Sequence, residues 1–449
     1  MGIGRVPGWV WVVLIGAHGL ALGWALHASS WSFPDTDRYL KAAENWRLYR
    51  ELYARTWPAL WPLGQAVQEF TIRPPGYPWT IWALDHVGQR PVPLLIVQNL
   101  LSLLNLGLVL SWWGQRARPT RGEWMLALSG FLSFPAQLIY ANAVMSEVLL
   151  QTLVVALAWL ALLFLRRQRT KYFAGVAAVA AAALLLKPVF FPLSLVIAGI
   201  GIGLAVRFRR VNLGMVGLVP MLVAGLYMGW NERRTGYFHF SSIAEINLLH
   251  YNAAGVIRQL EGPKAEETWV AGVLQQANAA PSFAARQQTI QARAGAVLRA
   301  HPMVYARQHA QGMAALFLDP GRFDIGTFLQ LAPPQGGGLL AQVRVGGLWR
   351  AVEQLPLGLL ALLGTVLAAN IVRVLLAIRG FWRLRNAASV LRYGRWVAAG
   401  LLLYIALLTG PLGAARFLVP VWPLLLALAL VGLPRKGRLI ETSAADASE

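Results

Sequence analysis

Cysteine is absent from the whole chain of 449 residues. Disulfides, thiolate metal sites and cysteine nucleophiles are therefore excluded. Charge is scarce as well: Asp, Glu, Lys and Arg make up 13% of the sequence, against about 25% in a soluble domain. Acids are the scarcer sign, 19 against 40 Lys and Arg, giving a net charge of +21. The seven histidines lack H-x-x-x-H or H-E-x-x-H spacing. No G-x-G-x-x-G, Walker loop or G-x-S-x-G stands in a working context, which disfavours nucleotide use and serine hydrolysis.

What is present is apolar. Hydrophobic residues reach 57%, with 19 Trp, a residue that anchors at membrane interfaces. In a soluble protein +21 would point to nucleic acid, but the apolar runs redirect that reading. A spanning helix needs about 20 apolar residues. Ten runs qualify: 8–28, 92–113, 123–141, 146–165, 172–187, 188–206, 211–230, 354–378, 396–412 and 414–433. The fifth and sixth share one stretch broken at Lys187-Pro188, so they read as a hairpin or a partly re-entrant pair. The first run follows Arg5 and exceeds a signal-peptide core, so it reads as a retained anchor. The fold class expected is an all-α polytopic membrane protein with about ten spans.

The basic residues orient it. With the N-terminus cytoplasmic, twenty of the Lys and Arg but four of the acids fall on inner segments, Arg373 among them. The domain plan is then a first span at 1–28 and an outer loop at 29–91. Spans fill 92–230, a large outer helical loop covers 231–353, more spans fill 354–433, and a cytoplasmic tail takes 434–449. Loop 1 contains an amphipathic helix over 37–53. The second outer loop contains a helical pair at 282–300 and 302–317, then a flexible turn at 333–338.

Ionisable residues at or inside span ends are costly and usually functional. The topology brings Asp35, Asp37, Arg73, Glu147, Lys187 and Arg416 to one membrane level. An aspartate before a helix is first of all a cap; the alternative is a base taking a proton from an acceptor. Arg73, before Pro74-Pro75-Gly76-Tyr77, either snorkels to lipid phosphates or grips a substrate phosphate with its planar fork. His250, in a polar stretch after span 7, is a candidate sugar contact or a plain loop histidine.

Asp35-Thr36-Asp37-Arg38-Tyr39 resembles the D-E-x-R-Y or D-x-x-x-Y motif of the GT-C membrane glycosyltransferases. The branch most similar contains protein O-mannosyltransferases and lipid A aminoarabinose transferases. Arg73-Pro74-Pro75-Gly76-Tyr77 looks like that branch's basic-Pro-Pro motif, Ser146-Glu147 like its second acidic position, and Leu186-Lys187-Pro188 like its L-T-[KR]-G-P element. Arg416 with Pro420 and Pro423 resembles the late R-x-x-x-P-x-x-P helix start. Ile72 departs from the pattern, standing where the aminoarabinose transferases carry Glu.

The resemblance implies transfer of a hexosyl or pentosyl group from a polyprenyl-phosphate donor to a lipid, glycan or protein acceptor on the extracytoplasmic face of a bacterial inner membrane. Inversion is expected. Asp35 and Glu147 are the implied catalytic carboxylates; Arg73, Lys187 and Arg416 are the implied phosphate ligands. Asp37, Tyr39, Tyr77 and His250 are further candidate substrate contacts. No cofactor is required by the spacing, although Asp35, Asp37 and Glu147 form a possible divalent-cation set. Partners are donor, acceptor and membrane lipid, without nucleic acid. The competing readings are a polymerase or ligase of lipid-linked glycans, and a transporter or flippase. Mid-span sequence rich in Leu, Val and Ala argues against transport.

Overall fold

The computed structural model describes residues 6–57, 64–84, 91–331 and 356–434. The turn at 333–338, most of the tail at 434–449 and Arg5 lie outside them. Among the described residues the chain is helical without strands, and eight helices are long and apolar enough to cross a membrane. It is an integral membrane protein.

Over their described residues all ten apolar runs form helices. The eight full-length spans begin with α1 (Gly8–His27), α4 (Val92–Ala117), α7 (Glu147–Arg167) and α9 (Phe191–Phe208). They continue with α10 (Val211–Thr235), α17 (Leu357–Arg383), α18 (Ser389–Thr409) and a last span, Ala415–Gly432. That last span runs through α19 (Ala415–Leu418) and a 3-10 turn into α20 (Trp422–Gly432). The other two runs differ from a plain span. The third is a pair, α5 (Arg121–Leu132) and α6 (Pro135–Ala141), bent by 62°. Pro135 cannot continue the hydrogen-bond ladder of α5, so the chain breaks there. The fifth is the short α8 (Thr170–Leu186), which ends where Pro188 biases Lys187 to extended backbone, at φ −150° and ψ 129°.

Arg373 departs from the sequence reading. It lies not in an inner connector but within α17, buried against the α5–α6 break. Its guanidinium donates to Ser133 Oγ (2.8 Å) and Gly130 O (3.2 Å) and faces the Trp422 ring at 4.5 Å. A cation there satisfies carbonyls left free by the break and complements the C-terminal end of α5. Beside it α17 and α20 touch backbone to backbone: a Cβ on Gly380 or Gly432 would run into a carbonyl of the other helix. Small residues permit that approach where lipid offers no hydrophobic drive.

The Leu/Val/Ala reading of the bundle centre also needs correction. His18, on α1, donates through Nδ1 to Leu14 O (2.8 Å) and accepts at Nε2 from Ser102 (2.9 Å). Gln137 bonds Ser102 and Gln151, and Gln151 reaches the Val419 carbonyl at 2.6 Å. These polar residues are spaced one to a helix and all face inward, so averaging over a span hides them. They bond one another rather than lining a path, which suits a device that fixes helix register.

The two long loops fold into helices at the end of the bundle where α1 stops and α7 starts. Loop 1 forms α2 (Thr36–Tyr49), a 3-10 segment (Gly64–Phe70) and α3 (Gly76–Leu84). The second loop forms α11 (Ile243–Asn247), a π-helical turn (Leu248–Ala253), α12 (Ala254–Glu261) and α13 (Pro263–Asn278). Then come α14 (Phe283–Ala300), α15 (Pro302–Leu318) and α16 (Arg322–Phe328). The expected pair at 282–300 and 302–317 is α14 and α15, with Ser282 capping α14 by accepting from Ala285 N at 3.1 Å.

Candidate active site

Asp35 occupies the N-cap position of α2, but its side chain makes no capping bond. Thr36 performs the local work instead, its hydroxyl accepting from Phe33 N (2.9 Å) and donating to Val144 O (3.2 Å). The Asp35 carboxylate turns to two guanidiniums: Oδ1 pairs with Arg73, and Oδ2 accepts from Arg416 Nη2 at 2.7 Å. On the far side of Arg416 stands Glu147, the first residue of α7. Its Oε1 lies 3.1 Å from Arg416 Nε, an ion pair not aligned as a hydrogen bond, and accepts from Lys187 Nζ at 2.7 Å. Five charged residues from five places in the chain thus form one line, Arg73–Asp35–Arg416–Glu147–Lys187.

Local sequence explains each placement. Lys187 projects from the extended break between α8 and Pro188. Arg73 precedes two prolines that end the loop-1 turn, and Gly76 lets that turn sit on the end of α8. A Cβ on Gly76 would stand 2.9 Å from Leu185 O, so glycine lets the turn after Arg73 pack against the backbone that ends α8. The strand of chain before Arg73 is held by the second loop. Ser241 Oγ donates to Thr71 O, Ser242 Oγ to Gln68 O, and Thr71 bonds His239, each at 2.8 Å. Buried Glu69 ties the same segment to α2 through Arg38, at 3.3 Å.

Aromatic rings floor the line. Arg73 lies over Tyr39 (5.0 Å), while Arg416 and Lys187 both lie over Phe417 (5.0 and 5.5 Å). Cation–π contact holds the cations in place without neutralising them. Exposure differs among the five: 21% for the Arg416 side chain, 17% for Asp35, 13% for Lys187, 9% for Arg73 and 0% for Glu147. The open side is therefore Asp35 with Arg416, and Glu147 lies behind. Burial alone would raise the Asp35 carboxyl, but Arg73 and Arg416 beside it hold it well below the usual carboxylate range.

Four other candidates are placed elsewhere. Tyr39 and Tyr77 are buried beneath the line, ring against ring at 4.7 Å, and Tyr77 donates to Gln98 at 2.8 Å, so neither presents a free surface to a substrate. Asp37 faces outward in the first turn of α2, where it complements the helix dipole. His250 stands exposed on the π-helical turn. The divalent-cation set fails the same test. Both oxygens of Asp35 are taken by arginines and Oε1 of Glu147 by Lys187, Oε2 of Glu147 is buried without a hydrogen-bond partner, Asp37 points away, and no group of three His, Asp or Glu suited to a metal occurs among the described residues.

Sequence reasoning missed Asp319 and Asp324. Asp319 ends α15 and accepts from Ala415 N at 3.0 Å and Gly321 N at 3.1 Å, which pins the start of the helix carrying Arg416. Asp324 accepts from Tyr140 at 2.7 Å, and burial pushes its carboxyl up to about 7. The Asp319-Pro320-Gly321 turn at the end of an amphipathic helix was the available signal. We expect Asp319→Ala to lower stability by about 1–3 kcal/mol through the orphaned amide and to weaken phosphate binding with Arg416 still present. Asp319→Asn keeps one acceptor oxygen but sets an NH2 group against the other backbone N–H, so it restores only part of both; thermal unfolding and donor titration on the same preparations read the two effects.

No family model matches the chain, and no curated protein matches it. Among solved structures it is similar to ArnT from Cupriavidus metallidurans in the apo state, with 15% identity over 94% of this chain and 77% of that one, at a TM-score of 0.35. It is similar to the same protein bound to undecaprenyl phosphate, with 14% identity over 95% and 77% at 0.36. The arabinosyltransferase EmbB from Mycobacterium smegmatis follows, with 13% identity over 89% of this chain and 44% of that one, at 0.35.

Proposed function

We propose that this chain is a membrane glycosyltransferase of the GT-C kind. It moves a sugar from a polyprenyl-phosphate donor to a lipid, glycan or protein acceptor. The observation that carries this is the Arg73–Asp35–Arg416–Glu147–Lys187 line at the end of the spans, cationic by one unit and open at Asp35 and Arg416. A lipid phosphate held beside a bundle presents its head at this level, with its chain among the helices. Basic connectors crowd the opposite end of the bundle, so the site faces the extracytoplasmic side, with both termini cytoplasmic. A bacterial inner membrane is the setting that fits.

The chemistry follows from placement. Departure of a phosphate needs cations already fixed where charge develops, a role for Arg73, Arg416 and Lys187. The anomeric carbon gains oxocarbenium character, and a carboxylate on the opposite face takes the acceptor's proton, a role for Asp35. One displacement inverts the anomeric centre. Glu147, fully buried, fixes Lys187 and Arg416 rather than meeting substrate.

Purified protein supplied with a radiolabelled polyprenyl-phosphate sugar is expected to move label covalently to an acceptor. Arg416→Met should lower the rate by about 10²–10³-fold. Movement of intact lipid-linked sugar across vesicles without covalent transfer would establish the transporter reading instead. Growth of a lipid-linked glycan would establish the polymerase.

A further inference from the structure

Resting on the donor reading above, we infer that Asp35 is a latent base: Arg73 and Arg416 occupy it until the donor's phosphate takes over their N–H groups. Both carboxylate oxygens are engaged in the resting protein, Oδ1 by Arg73 and Oδ2 by Arg416. A carboxylate so held is a poor proton acceptor, and its depressed affinity for protons agrees. The other charged or titratable groups around it are Lys187 and Glu147, beyond Arg416, and Tyr39 under Arg73. None of them can take the acceptor's proton in its place: Lys187 is paired, Glu147 is wholly buried behind two cations, and Tyr39 is covered by Arg73. The guanidiniums that silence Asp35 are the same ones a phosphate would seek, because forked N–H donors suit either oxyanion. Donor binding and base release are then one exchange of partners.

Charge counting supports the exchange. Arg73, Arg416 and Lys187 against Asp35 and Glu147 leave the line at +1. A phosphodiester donor brings one negative charge, so the loaded site is neutral. In the transfer the acceptor oxygen bonds to the anomeric carbon, and the carbon–oxygen bond to phosphate breaks with its electron pair on the phosphate. The acceptor's proton passes to Asp35. The leaving lipid phosphate is now a dianion, Asp35 is uncharged, and the sum is again zero. Neutrality before and after the step matters in a low-dielectric site, where uncompensated charge is expensive. When the lipid phosphate departs, the guanidiniums return to Asp35 and expel its proton to water.

Undecaprenyl phosphate is the probe, since it reproduces the product state. Above pH 7.5 it is a dianion in solution, because a phosphate monoester loses its second proton near pH ~6. Its binding to wild-type protein should take up about one proton, so affinity falls about tenfold per pH unit from 7.5 to 9. The sign follows because the bound state holds the extra proton. In Asp35→Asn the affinity should be flat with pH, and the phosphorus NMR shift of lipid bound to wild-type protein should remain that of the dianion. A flat wild-type profile, an equal slope in Asp35→Asn, or a monoanion shift overturns the latent base while leaving the donor reading standing. Absence of binding in both proteins overturns the donor reading and this inference with it.

Discussion

Asn in place of Asp35 will lower transfer by about 10²–10⁴-fold, the range of a positioned general base, while donor binding survives or tightens. Three observations set that combination. The side chain makes no helix-capping bond, so its loss should not unravel α2. Its oxygens meet only Arg73 and Arg416, so the substitution raises the charge of the line from +1 to +2 and frees both guanidiniums for phosphate. The uncompensated cations will cost the empty protein some stability, and bound phosphate should restore it by mass action. Single-turnover transfer, lipid-phosphate titration and thermal unfolding with and without lipid measure the three effects. A purely structural Asp35 would lose binding together with rate. Near-normal turnover in the variant would remove Asp35 from the chemistry altogether.

The fold was largely legible because lipid imposes few solutions: every backbone polar group must be satisfied inside the segment, so apolar length translates into spans. Lys187-Pro188 marked the shortened helix and the α14–α15 pair followed from a proline just after His301, whereas the break at Pro135 inside the 123–141 run was not read from the sequence. The charged line was legible for a related reason. Asp35, Glu147, Lys187 and Arg416 each sit near where a span begins, ends or breaks, Arg73 lies in the first outer loop, and alternation of the spans puts all five on one side. The connectivity within the line was not. That Glu147 would be sealed behind Arg416, and that Asp35 would meet two guanidiniums, depends on distances of a few ångströms between segments remote in the chain. The placement of Tyr77 and His250 was not legible either, because an aromatic or a histidine near a motif carries no sign of which way it faces. The His18–Ser102–Gln137–Gln151 chain escaped notice because single polar residues vanish into the hydropathy of long apolar helices.

Glu147→Gln is expected to be the most damaging single change to stability at the site, about 3–5 kcal/mol. The carboxylate is wholly buried and faces two cations, Lys187 at 2.7 Å and Arg416 at 3.1 Å. Glutamine has the same shape, so packing is kept and the loss isolates charge. Lys187 is left without an acid, and Arg416 keeps Asp35 alone. If the cost comes from the stranded ammonium, removing that ammonium should repair it. Glu147→Gln with Lys187→Met is therefore expected to unfold near the wild-type temperature in detergent, whereas Lys187→Met alone strands part of Glu147's charge and unfolds earlier. The four proteins form a double-mutant cycle whose coupling should reach at least the cost of the first single change, about 3–5 kcal/mol, above the range usual for residues in one ionic network. Transfer reads the other half of the argument. A Glu147→Gln protein that melts like wild type yet transfers nothing would mean that Glu147 meets the substrate, contrary to its burial. A protein that loses stability and rate together, with stability recovered in the pair, makes Glu147 the buried counter-charge that holds Lys187 and Arg416 in position for phosphate.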